Sequence, residues 1–153
     1  MSKPTGMSLG LILALAALVR ADGGGDSGAY TLVGADDRAE LERSEWRVVE
    51  MTSGGRERPK AQLEQNDMRM VFKNGRLHTK IVGAPTRGGD MRVTLYPDST
   101  PKQIEWELVP TRKNLGIYKL EGDKLTIAVG LQRPTEFSPE KATSFYVLKR
   151  VNP

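Results

Sequence analysis

The chain contains no cysteine and a single histidine, His78, among its 153 residues. The missing cysteine excludes disulfides, thiolate nucleophiles and the lipid-modified cysteine of a bacterial lipoprotein. One histidine without cysteine assembles neither a zinc site nor a histidine-paired nucleophile. A lone haem ligand at His78 has no supporting motif either. No serine sits in a Gly-x-Ser-x-Gly elbow, and no glycine run matches a phosphate loop. Glu105 and Glu107 are the nearest approach to a carboxylate pair. They lie two apart on one strand face and are expected to face water, whereas glycoside hydrolysis needs two acids across a cleft. The expectation is of no enzyme, no metal and no cofactor.

Long apolar runs are scarce too, and the one present is short. Leu9 to Val19 follows Lys3 and precedes Val19-Arg20-Ala21, which resembles a signal-peptidase site. Eleven helical residues rise only ~16 Å, against a hydrocarbon core of about 30 Å. A retained anchor is the competing reading, but Asp22, Gly23, Gly24, Gly25 and Asp26 follow at once. Residues 1–21 are therefore read as a signal peptide, with no membrane span after processing and a periplasmic or extracellular location. Removal of Lys3 and Arg20 leaves 21 basic against 19 acidic residues. That balance is too mild to argue for nucleic acid.

Residues 22–35 are rich in glycine and read as a flexible linker. Asp22 and Asp26 lack the alternating ligands and distal glutamate of a calcium loop. Residues 36–153 are one domain's worth of chain. Asp36 or Asp37 is placed to cap a short helix running to about Ser44.

Beyond it the apolar period becomes two. Trp46 and Val48 open a strand; Met68, Met70 and Phe72 mark another. Asn74-Gly75, a strong hairpin signal, leads to Leu77, Thr79 and Ile81. Met91, Val93 and Leu95 follow, then Ile104, Trp106 and Leu108 alternating with Glu105 and Glu107. Tyr118 and Leu120 form a second hairpin with Leu125, Ile127 and Val129 around Glu121-Gly122-Asp123. Residues 144–150 make the last strand. Eight short strands in succession, without strand–helix alternation, predict an all-β fold. An eight-stranded antiparallel up-and-down barrel with a short N-terminal helix leaves no exposed edge. A two-sheet sandwich satisfies the same periodicity.

Several blocks carry a family resemblance: Trp46-Arg47-Val48-Val49, Pro101-Lys102-Gln103-Ile104-Glu105, Gly116 to Ile127, Arg133-Pro134-Thr135-Glu136-Phe137 and the closing Leu148-Lys149-Arg150. On these the chain resembles a family of small domains of unknown function, expanded in planctomycete bacteria and similar in design to lipocalins. The resemblance spans residues 41–150 and implies a lipocalin-like barrel. It departs at Ser44, where the family usually has glycine two residues before the tryptophan. It also implies that Arg150 lies over Trp46 as a structural clasp between the first and last strands.

An eight-stranded barrel is just wide enough to be filled by side chains or to hold one small ligand. Trp106 and Tyr118 are the residues expected to shape a cavity, if the barrel has one. The predicted inward set, including Met70, Phe72, Leu77, Ile81, Leu95, Leu108 and Leu120, is bulky and favours a filled core. Arg133 and Glu136 flank Pro134, either as an ion pair that shapes the loop while Phe137 plugs one barrel end, or as the lining of a binding mouth. Two functions remain. One is an exported module binding a small apolar or amphipathic ligand. The other is a structural or interaction module of the cell envelope with a filled barrel.

Overall fold

The computed structural model of the chain describes residues 35–84 and 89–151. The signal-peptide reading of residues 1–21, and the linker reading of 22–35 apart from Ala35, lie outside them. Helix α1 (Ala35–Glu42) is followed by β1 (Glu45–Ser53), a two-residue β2 (Arg56–Glu57) and helix α2 (Lys60–Asn66). Then come β3 (Met68–Lys73), β4 (Arg76–Ile81), β5 (Asp90–Tyr96), β6 (Gln103–Val109), β7 (Arg112–Glu121), β8 (Lys124–Gly130) and β9 (Ser144–Val151). Each strand from β3 onward pairs antiparallel with the next, and β1 pairs with both β3 and β9. Eight strands thus close an up-and-down barrel, and the sandwich alternative is excluded. Paired strands satisfy their own backbone groups, so closure removes the edges an open sheet would expose.

The two ends of the barrel differ. At one end the connections Asn74–Gly75 and Gly122–Asp123 are tight. Asn74, Gly75 and Gly122 all adopt positive φ, the backbone that such hairpin turns require. Helix α1 lies against this end and buries Leu41 in the barrel core. The indole Nε1 of Trp46 donates to the Leu41 carbonyl at 3.0 Å, satisfying an acceptor that the helix terminus leaves without an internal partner. Arg38 to Glu42, at 3.0 Å, is an i,i+4 pair that supports the helix. Asp36 and Asp37 fall inside the helix, which begins at Ala35, and not at the position before it. Asp37 instead turns its carboxylate to the barrel, accepting from Tyr118 Oη at 2.6 Å and Lys102 Nζ at 2.8 Å.

At the opposite end the strands part. β1 pairs with β3 only from Glu45 to Arg47, and β4 with β5 only from Arg76 to His78. Helix α2, which follows β1 here, sets Leu63 into the core. It is absent from the sequence reading because its seven residues hold one large apolar side chain and no stripe. Its signals are Pro59 before it and the left-handed Asp67 behind it, φ 39°. Strand β1 carries a bulge at Val49, between Val48 opposite Leu148 and Glu50 opposite Val147. The extra residue turns Val49 outward and returns Met51 to the inner face.

A second apolar cluster sits outside the barrel wall. Ile117, Ala128, Phe145 and Val147 point outward from β7, β8 and β9, and the β8–β9 connection covers them with Ala142 and Phe137. Phe137 therefore packs on the outer wall and does not plug a barrel end.

Candidate functional site

The closed half of the barrel is filled. Trp46, Tyr118, Leu77, Ile104, Leu125, Ile127 and Leu148 are all fully buried there, with Leu41 of α1 beneath them. Gly116 shows how tight this packing is. A Cβ on it would meet Val129 Cγ1 at 2.6 Å and the Ala128 carbonyl at 2.9 Å. Interiors packed to this density leave no room for a ligand.

The other half is different. Met68, Met91 and Tyr146 are only partly buried and pack against the inner core. Met51 stands opposite Tyr146 on β9, Met68 opposite Ile81 on β4, and Met91 opposite Leu77. Side chains directly opposite in an antiparallel pair share a face. Ile81 thus belongs to the inner face but lies at its rim, 43 % exposed, with Val82 beside it at 48 %. That corrects the expectation of Ile81 as a core residue: the sheet parts before the strand reaches it. Trp106, buried, forms the floor between Val93 on β5 and Asn114 on β7.

Three of the four described methionines, Met51, Met68 and Met91, belong to this inner surface, and the fourth, Met70, is buried opposite Trp46. Unbranched, polarisable side chains adapt to differently shaped apolar partners. The polar fixtures are few. Ser53 Oγ and Ser144 Oγ lie 3.5 Å apart at the rim. Burial raises the Tyr146 phenol above its ordinary pKa, with a hydrogen bond to Ser144 and then the positive charge of Arg58 acting against it. The Arg58 backbone is held there by its bond to the Met51 carbonyl at 2.8 Å. Apolar side chains with a few polar groups at their rim are the usual make-up of a small-molecule site.

The residues singled out from sequence are not gathered at this mouth. Trp106 lies in it. Tyr118 does not: its backbone N–H donates to the Lys102 carbonyl, four residues before Trp106, which places the two about 13 Å apart along the strand direction. Its hydroxyl is committed to Asp37, and burial, more than that carboxylate, pushes the phenol pKa upward. Arg133 and Glu136 do not pair. Arg133 lies on the outer wall, donating to the Gly116 carbonyl at 2.7 Å and to Glu105, with the Tyr96 ring 6.0 Å away. Glu136 pairs with Lys141. Glu105 is likewise not simply water-facing, since Arg133 and Lys113 hold it. The Leu108 side chain lies outside the described residues. Trp46 and Arg150 do meet, with the guanidinium 4.8 Å from the ring centre.

Met68, Met70 and Met91 were legible as inward positions but not as a site, and Met51, beyond the bulge in β1, was not read at all. Their signal is concentration: four between residues 51 and 91, all on core-facing strand positions. Among the described residues no group of three or more His, Asp or Glu side chains is placed to hold a metal ion. No helix among them is long and apolar enough to cross a membrane.

Fold and site together define a closed eight-stranded β-barrel, filled at one end and methionine-lined at the other. No family model matches the chain, and neither a curated protein nor a solved structure matches it.

Proposed function

We propose that this is an exported binding protein that takes a small apolar or amphipathic molecule into the open half of its barrel. The observation that carries the reading is the partly buried rim of Met68, Met91 and Tyr146, continuous with exposed Ile81 above the Trp106 floor. Apolar surface left accessible at one end of a barrel has a reason to be covered. The filled closed half limits the ligand to the depth of the mouth. Tyr118, Arg133 and Glu136 have no part in this site. Export rests on the Leu9–Val19 run and the small residues after it. The likeness to the planctomycete family of lipocalin-like small domains, carried by the blocks between residues 41 and 150, accords with the same reading.

The structural-module alternative draws on one observation, the full packing around Trp46 and Tyr118. Native mass spectrometry of protein taken gently from its host's envelope separates the two. A reproducible small-molecule adduct, lost in Trp106→Ala and kept in Arg133→Gln, supports the binding protein. A bare mass in every preparation supports the filled module.

A further inference from the structure

Five basic residues stand directly opposite one another on five successive strands of the outer wall. Lys80 on β4 faces Arg69 on β3, Arg69 faces Arg47 on β1, Arg47 faces Lys149 on β9, and Lys149 faces Lys124 on β8. Like charges directly opposite in an antiparallel sheet are destabilising. A wall with no use for such a row gains by alternating its signs.

Two carboxylates relieve one end. Glu45 accepts from Arg69 at 2.8 Å and from Lys80, and Asp67 accepts from Arg69 at 2.6 Å and Arg47 at 2.7 Å. At the other end Glu121 on β7 stands opposite Lys124, but its carboxylate pairs with Lys119 at 2.8 Å. Lys149 and Lys124 are exposed and form no ion pair with a described residue. With Glu121 counted, five cations stand against three carboxylates, a surplus of two on a chain whose formal net charge is +4.

Four strand spacings of about 4.8 Å make the row ~19 Å long. Because it crosses five of the eight barrel strands, it follows a curved wall. A flat bilayer reaches only part of such a row at once, whereas a flexible chain bends along it. We propose that this stripe is a docking track for a flexible linear polyanion, a polymer bearing repeated sulfate, carboxylate or phosphate groups. Lys149 and Lys124 are its anchoring end, and Arg47 continues the track. Nothing in this depends on the barrel's inner ligand.

The test is a titration of the full-length chain with dextran sulfate at a series of salt concentrations. Vesicles of phosphatidylglycerol and free sulfate are run alongside. The wild type is expected to bind the polymer saturably and more tightly than the vesicles, with affinity falling as salt rises. Lys124→Gln/Lys149→Gln should lower the slope of log affinity against log salt by about 1.4, from roughly 0.7 per cation removed on a flexible polyanion. A control pair elsewhere, Lys73→Gln/Arg112→Gln, should leave the slope unchanged. Lys149→Glu places a carboxylate between Arg47 and Lys124. It should raise the melting temperature while weakening binding at least tenfold, a readout that loss of folding cannot imitate. The proposal is overturned if polymer binding is absent at low salt, if both double variants lower the slope equally, if vesicles bind as tightly as the polymer, or if Lys149→Glu lowers the melting temperature.

Discussion

Arg150 and Trp46 face each other across the seam between the last and first strands, the guanidinium 4.8 Å from the ring centre. The same guanidinium donates to Glu40 at 3.0 Å, to Ser44 Oγ at 3.3 Å and to the Gly122 carbonyl at 3.3 Å. It thus ties β9, β1, α1 and the β7–β8 turn at the closed end, with a side chain only 12 % exposed. Ser44 has an active part, since its hydroxyl receives one of these bonds.

Arg150→Lys keeps the charge but loses the planar fork and its stacking. The expected loss is about 1–3 kcal/mol of unfolding free energy, read by urea denaturation. A variant as stable as wild type would mean the clasp is ornamental.

Acid should loosen the wall beside the basic stripe. Hydrogen bonds from Lys80, then Arg69, hold the Glu45 carboxyl below its ordinary 4.5, and Arg69 holds Asp67 below 3.8. Groups lowered on folding contribute stability above their unfolded values, and that contribution fades as pH falls through the folded ones. Melting temperature should therefore drop between about pH 5 and pH 2. Glu45→Gln/Asp67→Asn should start lower and drop less over that window. Parallel curves for the two proteins would contradict the assignment.

Alkali acts through the phenols. Burial raises the Tyr118 and Tyr146 pKa values above 10.0. The unfolded chain then releases these protons first, so stability falls as pH rises beyond about 10. Tyr118→Phe leaves Asp37 with Lys102 alone and should cost about 1 kcal/mol at neutral pH. It should also flatten the alkaline loss. Denaturation curves at neutral pH and above the phenol range measure both effects.

Gly116→Ala tests the packing of the closed half. The added methyl meets Val129 Cγ1, which can turn, and the Ala128 carbonyl at 2.9 Å, which cannot turn without moving β8. A loss of about 1–3 kcal/mol is expected, as for other overpacked cores. An unchanged melting temperature would mean the interior has slack there.

The period-two pattern was enough to read eight strands, because inward positions such as Trp46, Met70, Phe72 and Leu125 are apolar wherever the wall is continuous. Closure was favoured by the exposed edges an open sheet would leave, since a sandwich has the same period. It failed where the wall is not continuous. Ile81 keeps the inward phase but sits beyond His78, the last residue of β4 paired with β5, and α2 has too few apolar residues to print a period. Arg133 illustrates a different limit. Its partners, Glu105 and the Gly116 carbonyl, come from strands 28 and 17 residues away, so adjacency to Glu136 was no guide. The row from Lys80 to Lys124 is invisible in sequence for the same reason: register, not spacing, brings it together.

The proposed apolar ligand would enter the methionine-lined half and stop above the filled one. The most direct measurement follows the isotope-labelled methionine methyl resonances by NMR during titration with dodecanol. Met51, Met68 and Met91 should shift saturably and together, with little change at Leu125 and Leu148 methyls in the closed half. Methionine methyls that stay fixed to the solubility limit, or closed-half leucines that move as much as they do, would contradict the account.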